Sequence, residues 1–464
     1  MHSPSNWEKW RGELPLAEAM AAIHRSLSSI QSCENTPDTS GWNTDRAPRG
    51  EVKVMLGPPP HVFRSELAHL HANPSYAVKL QERYRVFQNN AVPVVFSLMH
   101  LSVLAGVQWS KLRAVAKRQH PGSDYKVYPK QKRSGGIRWI SVPTPQLHAA
   151  QTWIAQNILR SPGVQAQVHP ASTAYSKGSS ILANAQPHAG APWLLKIDIQ
   201  GFFESVSERQ VYWVFRRLGY SALLSFEMAR ICTRVIPTIS DKERKRDHQK
   251  RWKEKLSIMH EGPYPSAPIG HLPQGAPTSP MLSNLVMARI DNQIQAIADA
   301  GGAVYTRYAD DLVLSFTTGP VERLEQILRT IRKVLGEGGF TINRKKTRLL
   351  GPGARKVVTG LLVNSSKPRL PRDMRAHLET ALYHMENRGI ANCSNWEGSK
   401  HPLAYLDHIA GLVQFAYSIE PNYAQGLFGR LRLIVGKEPE LMSLLTQFGP
   451  EGKTTLTKTA HKPR

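Results

Sequence analysis

Cysteine is almost missing from this chain of 464 residues: Cys33, Cys232 and Cys393 are scattered, with no CxxC or Cys/His spacing. Neither a zinc site nor a disulfide framework is expected, and a reducing compartment is. Acidic residues are also scarce, 35 Asp+Glu against 60 Lys+Arg, a net charge of +25. An excess of that sign points to a polyanionic partner, with nucleic acid foremost. Long uninterrupted apolar runs are lacking too. The longest, AVPVVFSLMHLSVLAGV (91–107), carries Pro93, Ser97, His100 and Ser102 and reads as a core helix rather than a membrane span. The N-terminus has no basic segment leading into an apolar one, so no secretory signal and no membrane partner are expected, and the cytoplasm is the expected location. What is present, 41% hydrophobic residues over this length, suits two or three globular domains with real cores.

Along the chain, residues 1 to about 75 mix a short helical pattern, LAEAMAAIHRSL, with linker-like NTPDTSGWNTDRAPRG and GPPP. Regular folding is expected from about residue 90: an apolar helix, the basic hairpin YKVYPKQKRSGGIRWISVP, then a helix near LHAAQTWIAQNIL. Between 193 and 350 strands alternate with helices. WLLKIDI comes first, then a helix from Ser207 as N-cap to Gly219 as C-cap, a long helix after Pro280, a hairpin around TRYADDLVLSF, the helix VERLEQILRTIRKVL, and GFTIN. After VVTGLLVN (357–364) the pattern turns helical near 372–387, 402–417 and 421–435. A polar basic tail follows. The fold class expected is α+β.

Within TRYADDLVLSF, Asp310 and Asp311 fall between two runs of aromatic and β-branched residues, and with Ala309 they suit the turn of a β-hairpin. Two adjacent carboxylates repel unless a cation lies beside them. An isolated Asp-Asp would read as a solvated turn, but WLLKIDIQGFF supplies a third carboxylate, Asp198, where a buried strand runs out. Three carboxylates on neighbouring strands are what two Mg²⁺ ions about 3.5–4 Å apart require for phosphoryl transfer. HLPQGAPTSPMLSNLV (271–286) adds Gln274, Gly275 for close backbone approach, Ser279 as a helix cap and Pro280 in the first turn, with an apolar stripe of Leu282, Leu285, Val286, Ile290 and Ile294 behind.

In that order, Asp198 in its strand, LPQGAPTSPMLSN and YADD resemble motifs A, B and C of a reverse transcriptase palm. The resemblance spans roughly residues 90 to 435. It implies a right-hand polymerase: an N-terminal extension (1–89, partly helical with linker), fingers (90–192), palm (193–356) with a charged insertion (241–255), helical thumb (357–435) and basic tail (436–464). It implies that Asp198, Asp310 and Asp311 bind two Mg²⁺ ions, for which Mn²⁺ is a substitute, with Asp311 the less direct ligand. It implies that Phe203 excludes a ribose 2′-OH and so selects dNTPs, and that Gln274 and Gly275 line the nucleotide and template pocket. In the fingers-like KQKRSGGIRWI, Lys132 and Arg138 are the cations expected on the triphosphate. GFTINRKKT resembles motif D, where Lys346, ahead of Arg344 and Lys345, is the expected proton donor to the leaving pyrophosphate.

NAQPH (184–188) resembles the NAxxH motif and VTG (358–360) the VTG triplet of bacterial retron reverse transcriptases. By that resemblance Asn184, His188, Val358, Thr359 and Gly360 engage the structured part of a cognate noncoding RNA. The RNA serves as template and primer, and the product is multicopy single-stranded DNA joined through a 2′,5′ branch; antiphage defence with an effector protein is the family's usual role. The long N-terminus, the insertion DKERKRDHQKRWKEK and the tail depart from the compact retron pattern. The insertion suits phosphate-backbone contact and a solvated helix equally. Another bacterial defence polymerase, protein-primed or untemplated, would share this palm. A group II intron maturase would need more chain after the thumb, and an idle RNA-binding scaffold would not need three aspartates. No RNase H-like pattern is seen.

Overall fold

The computed structural model describes residues 74–120, 123–131, 135, 137–235, 269–319, 321–390, 392–393 and 402–437. The N-terminal helical pattern, Lys132 and Arg133 of the basic hairpin, the insertion 241–255 and the basic tail lie outside the described residues.

The fold begins earlier than residue 90. Helix α1 (Pro74–Asn89) buries Leu80, Tyr84 and Phe87 at helical spacing. Phe87 meets Phe96 and Tyr220 with ring centroids 5.8 and 5.1 Å away, so this helix belongs to the main core. The apolar run 91–107 is only partly the helix expected of it. Its helical part is α2 (Leu98–Leu104), while Val92, Val94, Val95 and Phe96 are buried without helical structure. The reasons are local: Pro93 lacks an N–H, and Ser97 caps the helix by accepting from the His100 N–H at 3.2 Å.

After α3 (Trp109–Ala116), strands β1 (Tyr125–Gln131) and β2 (Ile137–Pro143) form the expected antiparallel hairpin, with Lys130 opposite Arg138. Its far end is exposed. Its base is buried, where Gln151 on α4 (Pro145–Trp153) donates to the Tyr125 hydroxyl at 2.8 Å and to the Ile231 carbonyl at 2.7 Å.

The second half is built on β3 (Trp193–Asp198), an inner strand of an antiparallel sheet of order β4 (Ala303–Tyr308), β5 (Asp311–Phe316), β3 and β6 (Arg348–Leu350). Helix α5 (Glu208–Arg217) starts at Ser207 with a full capping box to Gln210 and is followed by Gly219 at φ +101°, as its ends predict. Helices α6 (Ala222–Cys232) and α7 (Ser279–Ala300) follow, then β4 (Ala303–Tyr308), β5 (Asp311–Phe316) and α8 (Val321–Glu337). Ser279 does not cap α7: it is the first helical residue, and its hydroxyl donates instead to the Pro273 carbonyl at 2.7 Å. Part of GFTIN, expected as a strand, supplies an isolated bridge between Ile342 and Ile199, and the edge strand is β6 (Arg348–Leu350).

The two faces of this sheet serve different cores, as a period of two requires. Leu195, Ile197, Leu312, Leu314 and Phe316 join the large core with α7 and α8. Leu194 and Val313 face a second core shared with Val358, Leu361 and the helices α9 (Arg372–Arg388), α10 (Pro402–Ile419) and α11 (Pro421–Gly436).

One fully buried ion pair joins sheet and helix. Arg307 on β4 forks onto Asp291 of α7, Nε to Oδ1 at 2.8 Å and Nη2 to Oδ2 at 2.7 Å, with both side chains wholly out of solvent. Tyr305 donates to the same carboxylate at 2.8 Å, and the remaining Arg307 nitrogen donates to Asn284 Oδ1 at 3.2 Å and to the Ala309 carbonyl at 3.1 Å. Removing one member strands a charge in the core, which costs about 3–5 kcal/mol. Asp291→Asn or Arg307→Ala is expected to lower the unfolding free energy measured by urea titration by that amount. The joint replacement Arg307→Met with Asp291→Leu is expected to cost less than the sum of its parts in a double-mutant cycle.

Candidate active site

The turn between β4 and β5 is tight. Ala309 takes φ +56°, a left-handed conformation uncommon for a residue with a Cβ. The Arg307 guanidinium holds its carbonyl from below. Only Ala309 and Asp310 lie between the strands; Asp311 is not in the turn but is the first residue of β5. In that register Asp311 faces Tyr308 on one side and Asp198 on the other. The Ile199 N–H donates to the Asp310 carbonyl at 2.9 Å, so the end of β3 is laced to the turn. The three aspartates therefore meet at one end of the sheet, on neighbouring strands as their sequence contexts suggest.

Burial, and then the neighbouring carboxylates Asp311 and Asp198, push the Asp310 carboxyl up to about 6. Asp311 is raised as well, by burial first, with Lys196 opposing. Lys346 supplies the nearest counter-charge: its Nζ donates to Asp198 Oδ2 at 2.9 Å, which holds the ammonium above its usual range. Among the described residues no three acidic, imidazole or thiol side chains close around a common point. The donor set nevertheless fits a hard dication, being all carboxylate and crowded, with Lys346, on a half-exposed side chain, in direct contact.

The other expected residues fall around this cluster. Phe203, in the short helix Phe202–Ser205 that follows Asp198, is half-buried with its ring 5.4 Å from Phe202; Phe202 is the core member, packed on Phe340. The Gln274 carbonyl accepts from the Ser141 N–H of β2 at 2.7 Å, tying the LPQG loop to the basic hairpin. Gly275 has φ +115°, and a Cβ there would meet Ile140 Cγ2 at 3.0 Å and the Ser141 carbonyl at 3.1 Å, so glycine is required twice over. Arg138 is exposed on β2.

The two segments expected to touch RNA have few of their side chains free. Asn184 and His188 are fully buried. His188 bridges the sheet, with Nδ1 2.8 Å from Ser315 Oγ and Nε2 2.7 Å from Thr306 Oγ1, and burial lowers its pKa to about 4, so it is neutral. Asn184 Oδ1 accepts from Thr173 Oγ1 at 2.8 Å, and Val358 lies in the second core. These three side chains are out of reach of a ligand here, because the NAxxH and VTG segments are fastened to the sheet and to each other: Thr359 Oγ1 donates to the Ile181 carbonyl at 3.0 Å, and the Gly190 N–H to the Val363 carbonyl at 2.8 Å. Of the five, Gly360 alone is exposed, with Thr359 half-buried beside it.

Sequence reading passed over Arg307, Asp291 and Asn284. The available signal was Arg307 itself, which shares the core-facing alternation of Tyr305 and Ala303 and so needed a buried partner.

A carboxylate cluster at the end of an antiparallel sheet, backed by helices, flanked by a cationic hairpin and followed by a helical module, defines a right-hand nucleic-acid polymerase. The family model for reverse transcriptase (RNA-dependent DNA polymerase) matches residues 128–359. The retron Ec86 reverse transcriptase of Escherichia coli is 28% identical over 76% of this chain and 94% of its own length. The retron Mx162 reverse transcriptase of Myxococcus xanthus is 32% identical over 76% and 69%. The chain belongs to the retron reverse transcriptases, and is an RNA-directed DNA polymerase. The family uses divalent metal ions and nucleic-acid templates. No helix among the described residues is long and apolar enough to cross a membrane.

The raised Asp310 carboxyl has a sign that can be checked. Its folded pKa of about 6 lies above the ordinary 3.8, so its contribution to stability is complete below pH 3.8 and is lost as pH rises through 6. In metal-free buffer at pH 7.5, Asp310→Asn is expected to be more stable than the parent by about 1–2 kcal/mol, discounted for the carboxyl's partial solvent access. Thermal melting should show that advantage shrinking toward pH 4.

Proposed function

We propose that this chain copies a cognate structured noncoding RNA into multicopy single-stranded DNA, primed from a guanosine 2′-OH of that RNA and left joined to it by a 2′,5′ branch, in cytoplasmic antiphage defence with an effector protein. The observation that carries this reading is the meeting of Asp198, Asp310 and Asp311 at one sheet end whose back face is bound to both retron segments, around His188 and Thr359. Relatives named as retron reverse transcriptases support it across most of the chain.

In this reading Asp198, Asp310 and Asp311 hold two Mg²⁺ ions, with Mn²⁺ as substitute. When bound, such ions activate the attacking hydroxyl and neutralise the triphosphate. The protein's own part is positioning and charge. Phe203 packs against the sugar and rejects a 2′-OH. Gln274 and Gly275 line the nucleotide pocket, and Lys132 and Arg138 bring the hairpin's charge onto the triphosphate. Lys346 releases Asp198 and hands a proton to the departing pyrophosphate. Fingers, palm and thumb are assigned to 90–192, 193–356 and 357–435, with helix α1 packed into the core of the first two. RNA contact at the retron segments falls to Gly360 and to the surface around it, since Asn184, His188 and Val358 are interior.

Each of Asp198→Asn, Asp310→Asn and Asp311→Asn is expected to lower dNTP incorporation by roughly a thousandfold, several kcal/mol of lost transition-state stabilisation. RNA affinity, which rests on the basic surface, should stay within about twofold in a filter-binding assay. Product identity is tested by expressing the protein with its native flanking DNA and treating the extracted nucleic acid with debranching enzyme and RNase. A discrete single-stranded DNA whose mobility shifts on debranching is the expected outcome. DNA released only by protease would replace this reading with a protein-primed polymerase.

A further inference from the structure

Three aromatic rings lie along the edge of the carboxylate site. Tyr175 is the middle one, its centroid 6.2 Å from Phe203 and 6.5 Å from Tyr308, with both pairs of planes tilted by 43°. Phe203 follows the strand that carries Asp198, and Tyr308 precedes the turn that carries Asp310. Tyr175 comes from elsewhere, the loop between Ser172 and the short helix Ile181–Ala185, and none of the polymerase motifs includes it.

Two features of Tyr175 are unfavourable for folding alone. Its ring is 42% exposed, although large aromatics gain stability by burial. Its backbone has φ +69°, where a bulky side chain is strained. The surroundings impose this conformation. The Ala174 carbonyl accepts from Asn284 Nδ2 at 2.7 Å and from the Ser176 N–H at 3.0 Å, and the Thr173 N–H donates to the Arg307 carbonyl at 2.9 Å. Arg307 Nη1 also donates to the Ala309 carbonyl and to Asn284 Oδ1, so one network fixes both the aspartate turn and Tyr175. Strain maintained by such a network marks positions where a side chain is aimed at something.

The electrostatic setting indicates what that is. Arg138 on the basic hairpin and Asp310 in the turn both act on the Tyr175 hydroxyl through their charges, so the ring is near both the expected triphosphate cation and the carboxylates. Burial first, then Asp310, pushes the hydroxyl up to about 12, which leaves a neutral ring and a neutral donor at working pH.

We propose that Tyr175 is a binding residue for the incoming nucleotide: its ring, with those of Phe203 and Tyr308, forms the floor on which the nucleoside part rests while the triphosphate spans from Arg138 to the carboxylates. This rests on the site roles proposed above. Aromatic faces accept any base, as a polymerase requires, and removing one such ring typically costs roughly 5- to 150-fold in binding.

The test is single-nucleotide incorporation on an RNA template with a DNA primer, using the full chain and its Tyr175→Phe, Tyr175→Ala and Tyr175→Gly variants, with melting curves for each. Tyr175→Phe keeps the ring and should stay near the parent. Tyr175→Ala and Tyr175→Gly should raise the KM for dNTPs about tenfold or more, with kcat and primer–template affinity little changed. Tyr175→Gly should melt at or above the parent, because glycine relieves the strain. A KM that rises while stability holds is something a purely structural tyrosine would not produce. Unchanged KM in the Ala and Gly variants of an active enzyme overturns this proposal alone. Loss of primer–template affinity in place of dNTP affinity also overturns it, assigning the ring to the template strand. A parent chain that incorporates no dNTP overturns the site roles and this proposal with them.

Discussion

The buried pair between Arg307 and Asp291 is the interaction on which the site depends. An arginine wholly removed from water is tolerated only if its donors are met, and here they are met by Asp291, Asn284 and the Ala309 carbonyl. The acceptors lie on two functional parts. Asp291 and Asn284 belong to the helix behind the LPQG loop, and Ala309 belongs to the turn between the paired strands. The backbone of the same arginine bridges to Ser172, and through Thr173 to the loop that carries Tyr175. One arginine thus sets the relative position of three segments: the helix, the aspartate turn and the loop that carries Tyr175. Because its bonds are directional, it sets them more sharply than apolar packing would.

What this frame holds in place is an arrangement that opposes itself electrostatically. Asp310 is raised by burial and by the neighbouring aspartates, and the one lysine in contact is bound to Asp198 through a side chain that remains half open to solvent. A cluster short of one positive charge is poorly suited to stability and well suited to receiving cations and a polyanionic substrate. The chain as a whole carries a net +25, which favours a polyanionic partner, so the sparse acidic residues gain effect from being concentrated.

A second ionic node serves the junction between the first helices and the sheet module. Glu208, almost without solvent contact, accepts from Arg118 at 2.9 Å, Arg230 at 3.1 Å and the Gly270 N–H at 2.9 Å. A Cβ on Gly270 would lie 2.6 Å from both Arg118 Nη2 and Glu208 Oε2, so a side chain here would have to displace this ion pair. Together with the Gln274–Ser141 backbone bond, this node couples the basic hairpin to the carboxylate platform. The hairpin and the LPQG loop are therefore held against each other by the fold itself.

Much of this was legible in the sequence, because local patterns have local causes. The capping box at Ser207, the glycine at 219, the β1–β2 hairpin and the helices after 372 follow from short-range hydrogen bonding and periodicity. The three aspartates were legible because a buried strand ending in Asp has few structural reasons to exist. Legibility failed where the partner lay far along the chain. Nothing near Arg307 announces Asp291, nothing in NAQPH says that Asn184 and His188 point inward to Thr173, Ser315 and Thr306, and nothing in AYSKG sets Tyr175 beside Phe203 and Tyr308. The sequence by itself determined the class of chemistry, since residue types and their local spacing specify which groups are offered. The tertiary structure alone decided which of those groups face a ligand and which hold the scaffold, because burial and directional bonding depend on what the fold brings from elsewhere.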